Sequence, residues 1–348
     1  MYQRIIRSKA PLRISFAGGG TDVPPYPEMK GGAVISTAIT KYAYVSLCVK
    51  SSPGMTINSI DYDILVSIKS VSDLRYNGKL DLAKAAIRVF KPELLDQYGF
   101  DMITSCDSPP GSGLGSSSAV IVAIIGALSK LSGKSITKYD IAELAYRLER
   151  LELGIKGGLQ DQYASTFGGF NFIEFDGSRV IVNPLRIDPE VLNELHSNLL
   201  LFDTGKTRLS AGILERQIKS VVDKKEQALE SLDMIKKIAL EMKNCLLKGD
   251  LSTFGELLWE EWQYKKRLDP QISNPTLDHL FDIARKEGAI GGKLCGAGGG
   301  GHILIYSNLE VRHNVIKALE KAGCKHVTFG FEPYGLQVWE VKEGKVKV

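Results

Sequence analysis

The sequence predicts an α+β protein with two domains, residues 1–188 and 189–348. Segments that alternate apolar and polar residues, as strands do, are mixed with helical patterns along the whole chain. The chain has 348 residues, of which 44% are hydrophobic, and this is enough to bury two cores. Because Pro184 and the Asp-Pro pair at 188–189 indicate a linker, we place the domain boundary there.

The first half combines short strands with three helices. Alternating apolar residues predict strands at 4–8, 14–17, 34–37, 43–49 and 100–106. Apolar or amphipathic stretches predict helices at 79–90, 116–131 and 138–153. Two strands at 170–175 and 179–182, joined by Asp-Gly-Ser, predict a hairpin that closes this half.

The second half begins with an apolar run that predicts a buried strand at 199–202. Long polar helices are expected across 209–248 and 254–267, and strands at 303–306 and 335–341. The aromatic and basic residues of 259–267 recur at helical spacing. This spacing indicates an amphipathic helix whose aromatic side chains pack inward, rather than a surface that stacks on nucleotides.

Composition excludes several classes of protein. The net charge is +4 and the basic residues are spread along the chain, so no nucleic-acid surface is predicted. The five cysteines are odd in number, widely spaced and free of Cys-x-x-Cys, which is typical of a reducing compartment. No apolar run reaches the roughly 18 residues that span a membrane, and no signal peptide is predicted. We therefore expect a cytoplasmic protein.

A glycine- and serine-rich segment at 108–119 lies between a predicted strand and an apolar helix. Free N–H groups at the helix start, with those of the glycines, predict an oxyanion site, and Ser116 and Ser117 can cap the helix or ligate a metal. The segment lacks the Lys of the common P-loop and is one residue short of Gly-x-Gly-x-x-Gly, so a dinucleotide site is not favoured. A glycine turn that only packs the strand on the helix is the alternative. The predicted phosphate-binding residues are Pro110, Gly111, Ser112, Gly113, Leu114, Gly115, Ser116, Ser117 and Ser118.

Two further glycine clusters, at 13–22 and 293–302, favour a shared ligand site over three unrelated turns. With these three motifs in this order, the sequence resembles the GHMP kinase superfamily of galactokinases and mevalonate kinases, over almost the whole chain. The resemblance implies ATP as phosphoryl donor, Mg²⁺ as metal, an N-terminal domain like ribosomal protein S5 domain 2 and a ferredoxin-like C-terminal domain. It also implies substrate binding by the first and third clusters, in Gly19, Gly20, Thr21, Asp22, Gly296 and Gly298.

Catalytic residues are implied by the same resemblance. Asp161 lies in Gly-Gly-Leu-Gln-Asp-Gln, which is similar to the galactokinase segment that carries the catalytic aspartate. Arg13 occupies the position of a family Arg or Lys, where its charge could keep Asp161 ionised. Ser117 and Glu149 match the magnesium ligands, and Glu152, three residues on, is the alternative carboxylate.

The substrate prediction depends on the first cluster. Galactokinases read Gly-Glu-His-Thr-Asp there, whereas this chain has two glycines, Gly19 and Gly20, in place of Glu and His. The pocket should therefore take a larger or phosphorylated sugar, and the chain is similar to the heptose 7-phosphate kinases of the family, which act at the anomeric hydroxyl. Another sugar kinase, a silent sugar-binding member and a Rossmann-like oxidoreductase are alternatives, and a homodimer stays open. The candidate cations for the sugar phosphate are Lys9, Arg208, Lys266 and Lys293, of which Arg208 is favoured.

Overall fold

A computed structural model describes residues 4–69, 73–94, 99–177, 179–205, 211–342 and 345–347. Within these residues the chain forms two β-sheets and eleven α-helices. The strands are β1 (Arg4–Ala17), β2 (Gly32–Lys50), β3 (Met55–Ser59), β4 (Ile64–Ile68), β5 (Gly99–Cys106), β6 (Phe170–Asp176), β7 (Arg179–Pro184), β8 (Leu199–Asp203), β9 (Gly291–Leu294), β10 (His302–Tyr306), β11 (Lys325–Val327), β12 (Gln337–Lys342) and β13 (Lys345–Lys347). The helices are α1 (Tyr26–Lys30), α2 (Asp81–Leu94), α3 (Ser116–Ser132), α4 (Lys138–Tyr146), α5 (Gln160–Phe167), α6 (Pro189–Asn198), α7 (Ala211–Val222), α8 (Glu226–Lys248), α9 (Leu251–Arg267), α10 (Pro275–Lys286) and α11 (Leu309–Lys321).

The larger sheet has nine strands and is organised around β1 and β2. Its order is β13-β12-β1-β2-β5-β3-β4, and β2 also pairs with β6, which pairs with β7. All neighbours are antiparallel except β3 and β5. Strand β2 is long enough to pair with β6 through its first half and with β5 through its second. Helix α3 packs on β1 and β2, and its apolar residues are buried on every face.

The smaller sheet has the order β11-β8-β10-β9 and is antiparallel throughout. The smaller sheet and β1 share a hydrophobic core with residues from both halves of the chain. In this core the ring of Phe16 packs edge-to-face against that of Phe254 of α9. Strands β12 and β13 belong to the predicted second domain by sequence but pair within the larger sheet. The sheets therefore do not divide the chain cleanly at 188/189, and that boundary stays a prediction. In the described part of the chain, no helix combines the length and the apolar character needed to cross a membrane.

Several predicted elements are wrong in extent. The strands predicted at 4–8 and 14–17 form the single strand β1, because the irregularity between Pro11 and Leu12 lets the ladder continue past the proline. The strands predicted at 34–37 and 43–49 are likewise one strand, β2. The helix predicted at 138–153 is α-helical only to Tyr146 and continues as a π-helical turn, Arg147–Glu152. The long helix predicted from 209 to 248 is interrupted near Lys224, whose φ is +52°, and forms α7 and α8.

Candidate active site

The three glycine clusters lie around one cavity of about 510 Å³. The first cluster lies at the end of β1, the second begins α3, and the third connects β9 to β10. The cavity thus lies between the larger sheet and the second half of the chain. Members of the clusters that line it are Arg13, Ser15, Gly19, Gly20, Asp22, Gly111, Gly113, Gly115, Ser116, Ser117, Ser118, Lys293, Leu294, Gly296 and Ala297.

The start of α3 supplies donors for an anion. Its N-cap is Gly115, with φ +76° and no side chain to cap the helix, so the predicted capping by Ser116 or Ser117 is wrong. The hydroxyl of Ser116 donates instead to the carbonyl of Pro109. The first helical hydrogen bond runs from Ala119 N to Gly115 O, and the three preceding amides have no carbonyl partner within the helix. These amides and the helix dipole favour a bound phosphate.

The third cluster packs closely against the second through backbone contacts. A Cβ on Gly113 would lie 2.3 Å from the carbonyl oxygen of Cys295, and one on Gly301 would lie 2.6 Å from that of Ser112. The Ser112 carbonyl also accepts the backbone N–H of His302 at 3.1 Å and lies 2.9 Å from its Nδ1. Glycine is therefore required where the two loops touch, and the contact holds the anion-binding loop in place.

Arg13 and Asp161 form a tight ion pair at the wall of the cavity. Nε and Nη2 of Arg13 lie 2.7 and 2.6 Å from Oδ1 of Asp161. Nη1 of Arg13 donates to the carbonyl of Gly113 at 2.6 Å, which connects the pair to the anion-binding loop. The Arg13 side chain is 5% exposed and that of Asp161 17% exposed. The pair is thus largely shielded from water, whereas Asp161 stays open to a ligand.

Glu149 lies in the π-helical turn and is fully buried at the cavity. Its Oε2 accepts hydrogen bonds from Ser118 Oγ and Gln162 Nε2, both at 2.7 Å. Its Oε1 lies 3.3 Å from Nη1 of Arg150 but accepts no hydrogen bond within the described residues. Glu152 is paired elsewhere, with Arg88 and the hydroxyl of Tyr76.

These contacts fit a magnesium ion. A buried carboxylate oxygen without a hydrogen-bond donor is a suitable ligand, and the Ser117 hydroxyl lines the same cavity. Magnesium takes one or two protein oxygens and completes its shell with phosphate and water. Of the two predicted carboxylates, the geometry therefore favours Glu149 over Glu152.

The first cluster holds Asp22 in a fixed orientation. Its Oδ1 accepts the N–H of Gly20 at 3.0 Å and its Oδ2 that of Gln160 at 3.1 Å. A Cβ on Gly158 would lie 1.9 Å from Oδ2, so this position requires glycine. The aspartate thereby joins the first cluster to the start of α5, one residue before Asp161.

Other predicted site residues lie outside the cavity lining. The Thr21 hydroxyl is buried and donates to the carbonyls of Gly18 and Ala33, and Leu114 is a core residue. A Cβ on Gly298 would meet Ile272 rather than a ligand. Pro110 and Ser112 belong to the anion-binding loop but do not line the cavity.

The candidate cations for the sugar phosphate are spread over the molecule. Lys266 pairs with Asp278 at 3.5 Å and Lys9 lies over the ring of Tyr42, so neither reaches the cavity and both predictions are wrong. Lys293 lines the cavity, but its Nζ lies 3.0 Å from Glu261. Arg208 lies outside the described residues.

Sequence reasoning missed several cavity residues, and the polar ones that matter most for the site are Arg150, Gln160, Glu261 and Lys265. Arg150 covers Gly157, and Glu261 and Lys265 lie one turn apart on α9. The i, i+4 spacing of Glu261 and Lys265 is the sequence signal for these two residues, but on an amphipathic helix the same spacing also fits packing alone.

Comparison with known proteins supports a common ancestry over the whole chain. A family model for the N-terminal domain of GHMP kinases matches residues 81–169, and one for the C-terminal region of GHMP kinases matches residues 242–326. A D-glycero-alpha-D-manno-heptose 7-phosphate kinase of Campylobacter jejuni is 37% identical over 97% of this chain and 100% of its own length. A bifunctional fucokinase/GDP-fucose pyrophosphorylase of Arabidopsis thaliana is 30% identical over 96% of this chain, which corresponds to 32% of that longer protein.

Solved structures show the same relationship. A structure described as a D-glycero-D-manno-heptose 1-phosphate kinase from Bacteroides thetaiotaomicron has a TM-score of 0.83 and 34% identity, and covers 97% of this chain and 100% of its own. A Lactococcus lactis galactokinase shares the fold, with a TM-score of 0.75 and 18% identity over 96% of this chain and 95% of its own. The α+β fold in two units, predicted from the sequence, is thereby confirmed.

Proposed function

The chain belongs to the GHMP kinase family, and from that premise we propose that it transfers the γ-phosphoryl group of ATP to the anomeric hydroxyl of D-glycero-D-manno-heptose 7-phosphate. Membership of this family makes it a phosphotransferase. The substrate is proposed from the near full-length similarity to the Campylobacter jejuni kinase. The observation that carries the reaction type is the Arg13–Asp161 pair, which is hydrogen-bonded to the loop that would hold the nucleotide phosphates.

In this mechanism Asp161 orients the acceptor hydroxyl and accepts its proton as the oxygen attacks phosphorus. Arg13 holds the carboxylate in one orientation, because two of its nitrogens contact the same oxygen, Oδ1. The other oxygen, Oδ2, is 3.9 Å from Arg150 and can face the substrate. Enzymes of this kind accelerate the reaction chiefly by positioning and by charge stabilisation, and both residues serve these ends.

The amides at the start of α3 would hold the phosphates of ATP, with the dipole of that helix favouring their negative charge. Ser117 and Glu149 would hold Mg²⁺, which when bound neutralises charge on the phosphates. The remaining Glu149 oxygen is already used by Ser118 and Gln162. These two side chains therefore orient the carboxylate from the protein side.

Substrate choice is proposed to depend on the first cluster and on cations of the cavity. Gly19 and Gly20 leave room that the galactokinase side chains fill, and Asp22 would bind sugar hydroxyls. Arg208 remains a sequence-based candidate for the sugar phosphate. We place the reaction in the cytoplasm, where its product would enter the synthesis of nucleotide-activated heptose.

A substrate panel tests the proposal. With MgATP, we expect kcat/KM to be highest for D-glycero-D-manno-heptose 7-phosphate, by at least about tenfold over the unphosphorylated heptose, because a charge-assisted contact is lost. The panel should include heptose 1-phosphate and fucose, since relatives are named for activities of both kinds. Faster turnover of fucose would replace the proposal with a fucose-type kinase. No turnover of any sugar, with sugar binding retained, would favour a silent binding protein.

A further inference from the structure

We propose that Lys265 binds the distal phosphate group of the sugar substrate and so determines the preference for a phosphorylated sugar. The inference rests on the proposed function, since it assigns a residue to the part of the substrate away from the reacting hydroxyl. Lys265 lies on α9, in the second half of the chain, and lines the cavity formed with the first half.

The position of Lys265 depends on the glycines of the first cluster. Its Nζ donates to the carbonyl of Gly19 at 2.8 Å, and a Cβ on Gly20 would lie 3.1 Å from the same nitrogen. A glutamate or histidine there would therefore compete with Lys265 for space. The two glycines that distinguish this chain from galactokinases thus create the opening through which a lysine of the other half enters the pocket.

Lys265 also keeps donors for a ligand. An ammonium group has three hydrogens, and the Gly19 carbonyl accepts one of them. Among the described residues no carboxylate forms an ion pair with Lys265, although the residue is only 6% exposed. A buried charge without a counter-ion is costly, and a bound anion would offset that cost.

The other cations of the cavity are already engaged. Arg13 pairs with Asp161, Arg150 lies 3.3 Å from Glu149, and Lys293 pairs with Glu261. Lys156 lines the cavity but is exposed to solvent. Lys265 is therefore the buried cation of this cavity that the described carboxylates leave unpaired.

Neighbouring groups suit the rest of a sugar. Glu261 is fully buried one turn before Lys265, and while its Oε2 lies 3.0 Å from Lys293 Nζ, its Oε1 has no hydrogen-bond partner in the described residues. Gln160 Oε1 and Ser15 Oγ are also buried at this cavity without a hydrogen-bond partner in the described residues. Sugar hydroxyls would satisfy these oxygens, which places hydroxyl recognition beside the phosphate-binding lysine.

The charge of Lys265 is sensitive to pH. Burial, with a smaller contribution from the like charge of Lys293, lowers its pKa to about 8, while Glu261 and Asp22 act in the opposite direction. A lowered pKa means that the protonated form is lost as the pH rises through about 8. A sugar phosphate is already a dianion there, so its affinity should fall on the alkaline side as the lysine loses its charge.

The test compares Lys265→Met with Lys266→Met, which removes the neighbouring surface lysine that pairs with Asp278. We expect Lys265→Met to raise the KM for heptose 7-phosphate by on the order of 10- to 100-fold. The KM for ATP should change by less than about twofold, and the kcat/KM for unphosphorylated heptose should fall much less than that for heptose 7-phosphate, because only the phosphorylated sugar makes the contact with the ammonium group. The alkaline fall in kcat/KM should disappear in this variant and persist in Lys266→Met.

Equal KM values in both variants would overturn the assignment, and so would loss of the phosphate preference in Arg208→Met but not in Lys265→Met. Failure of the proposed function is recognised separately, since the wild-type enzyme would then show no preference for the phosphorylated heptose. If Lys265→Met does not fold, amine labelling of the wild-type protein decides the question. Heptose 7-phosphate, but not free heptose, should protect Lys265 from acetylation, and equal labelling with and without it would refute the contact.

Discussion

The hydroxyl of Ser118 donates a 2.7 Å hydrogen bond to Glu149, and this contact separates two neighbouring serines by role. Ser118 is buried and also accepts a hydrogen bond from Gln162 at 3.2 Å. Ser117, one residue earlier, lines the cavity and is partly exposed. Both serines line the cavity, but the hydroxyl of Ser118 is engaged by Glu149 and Gln162, so Ser117 is the candidate metal ligand of the two.

Ser117→Ala and Ser118→Ala should therefore differ in their effects. We expect Ser117→Ala to raise the magnesium concentration for half-maximal rate with little change in Tm, because one metal ligand is lost. Ser118→Ala should lower the free energy of unfolding by about 1–3 kcal/mol, because Glu149 and Gln162 each lose one of their buried hydrogen bonds. Magnesium titrations and thermal melts of both variants make the comparison. An unchanged magnesium titration in Ser117→Ala would reject that residue as a ligand.

The two candidate carboxylates can be separated in the same way. Glu149→Gln should raise the magnesium requirement by about tenfold or more, since it removes the charge of the proposed ligand. Glu152→Gln is the matched control, because Glu152 lies on the same turn but pairs with Arg88 and Tyr76. The magnesium-dependent rise in Tm with ADP present gives a readout that does not depend on turnover. A larger effect in Glu152→Gln would reverse the assignment.

Asp161→Asn tests the proposed base. The amide keeps the shape of the side chain but cannot accept the proton, so kcat should fall by roughly 100-fold or more. The KM values should change less, because the amide oxygen can still accept a hydrogen bond from Arg13. Asp176→Asn is a suitable control, since Asp176 is exposed and pairs only with Arg179 among the described residues. A folded Asp161→Asn enzyme with wild-type kcat would mean that positioning alone supports the reaction.

The N-terminal half of the site could be predicted because its residues are close in sequence to recognisable glycines. Segment 108–119 combines its own strand end, loop and helix start, so local patterns describe it well. The Arg13–Asp161 pair required the family resemblance, because 148 residues separate the two side chains. Composition and periodicity carry no information about such a contact.

Residues from the second half could not be found in this way. The helical spacing of Glu261 and Lys265 indicates a buried face, but it does not show whether that face meets a core or a cavity. The π-helical turn that carries Glu149 was also hidden, because its sequence continues the helical pattern of α4. Both depend on long-range packing, which overrides local preference.

Gly113→Ala tests whether contact between the second and third glycine clusters holds the nucleotide loop. Gly113 has φ +80° and its Cβ would lie 2.3 Å from the carbonyl oxygen of Cys295. Gly133, at the end of α3, has a similar φ of +71°, but a Cβ there would meet no atom within 4 Å. The left-handed conformation costs an alanine about 1–2 kcal/mol at either position. Any additional effect of Gly113→Ala over Gly133→Ala is therefore due to the contact with Cys295 and not to backbone strain.

We expect Gly133→Ala to lower the free energy of unfolding by about that amount and to leave the KM for ATP unchanged. Gly113→Ala should lower stability further and raise the KM for ATP, because the loop must move away from Cys295 to accommodate the methyl group. Since Arg13 donates to the Gly113 carbonyl, the same movement should also disturb Asp161 and reduce kcat. Denaturant unfolding and steady-state kinetics on both variants provide the comparison. Equal kinetics in the two variants would mean that the contact between Gly113 and Cys295 contributes to stability alone.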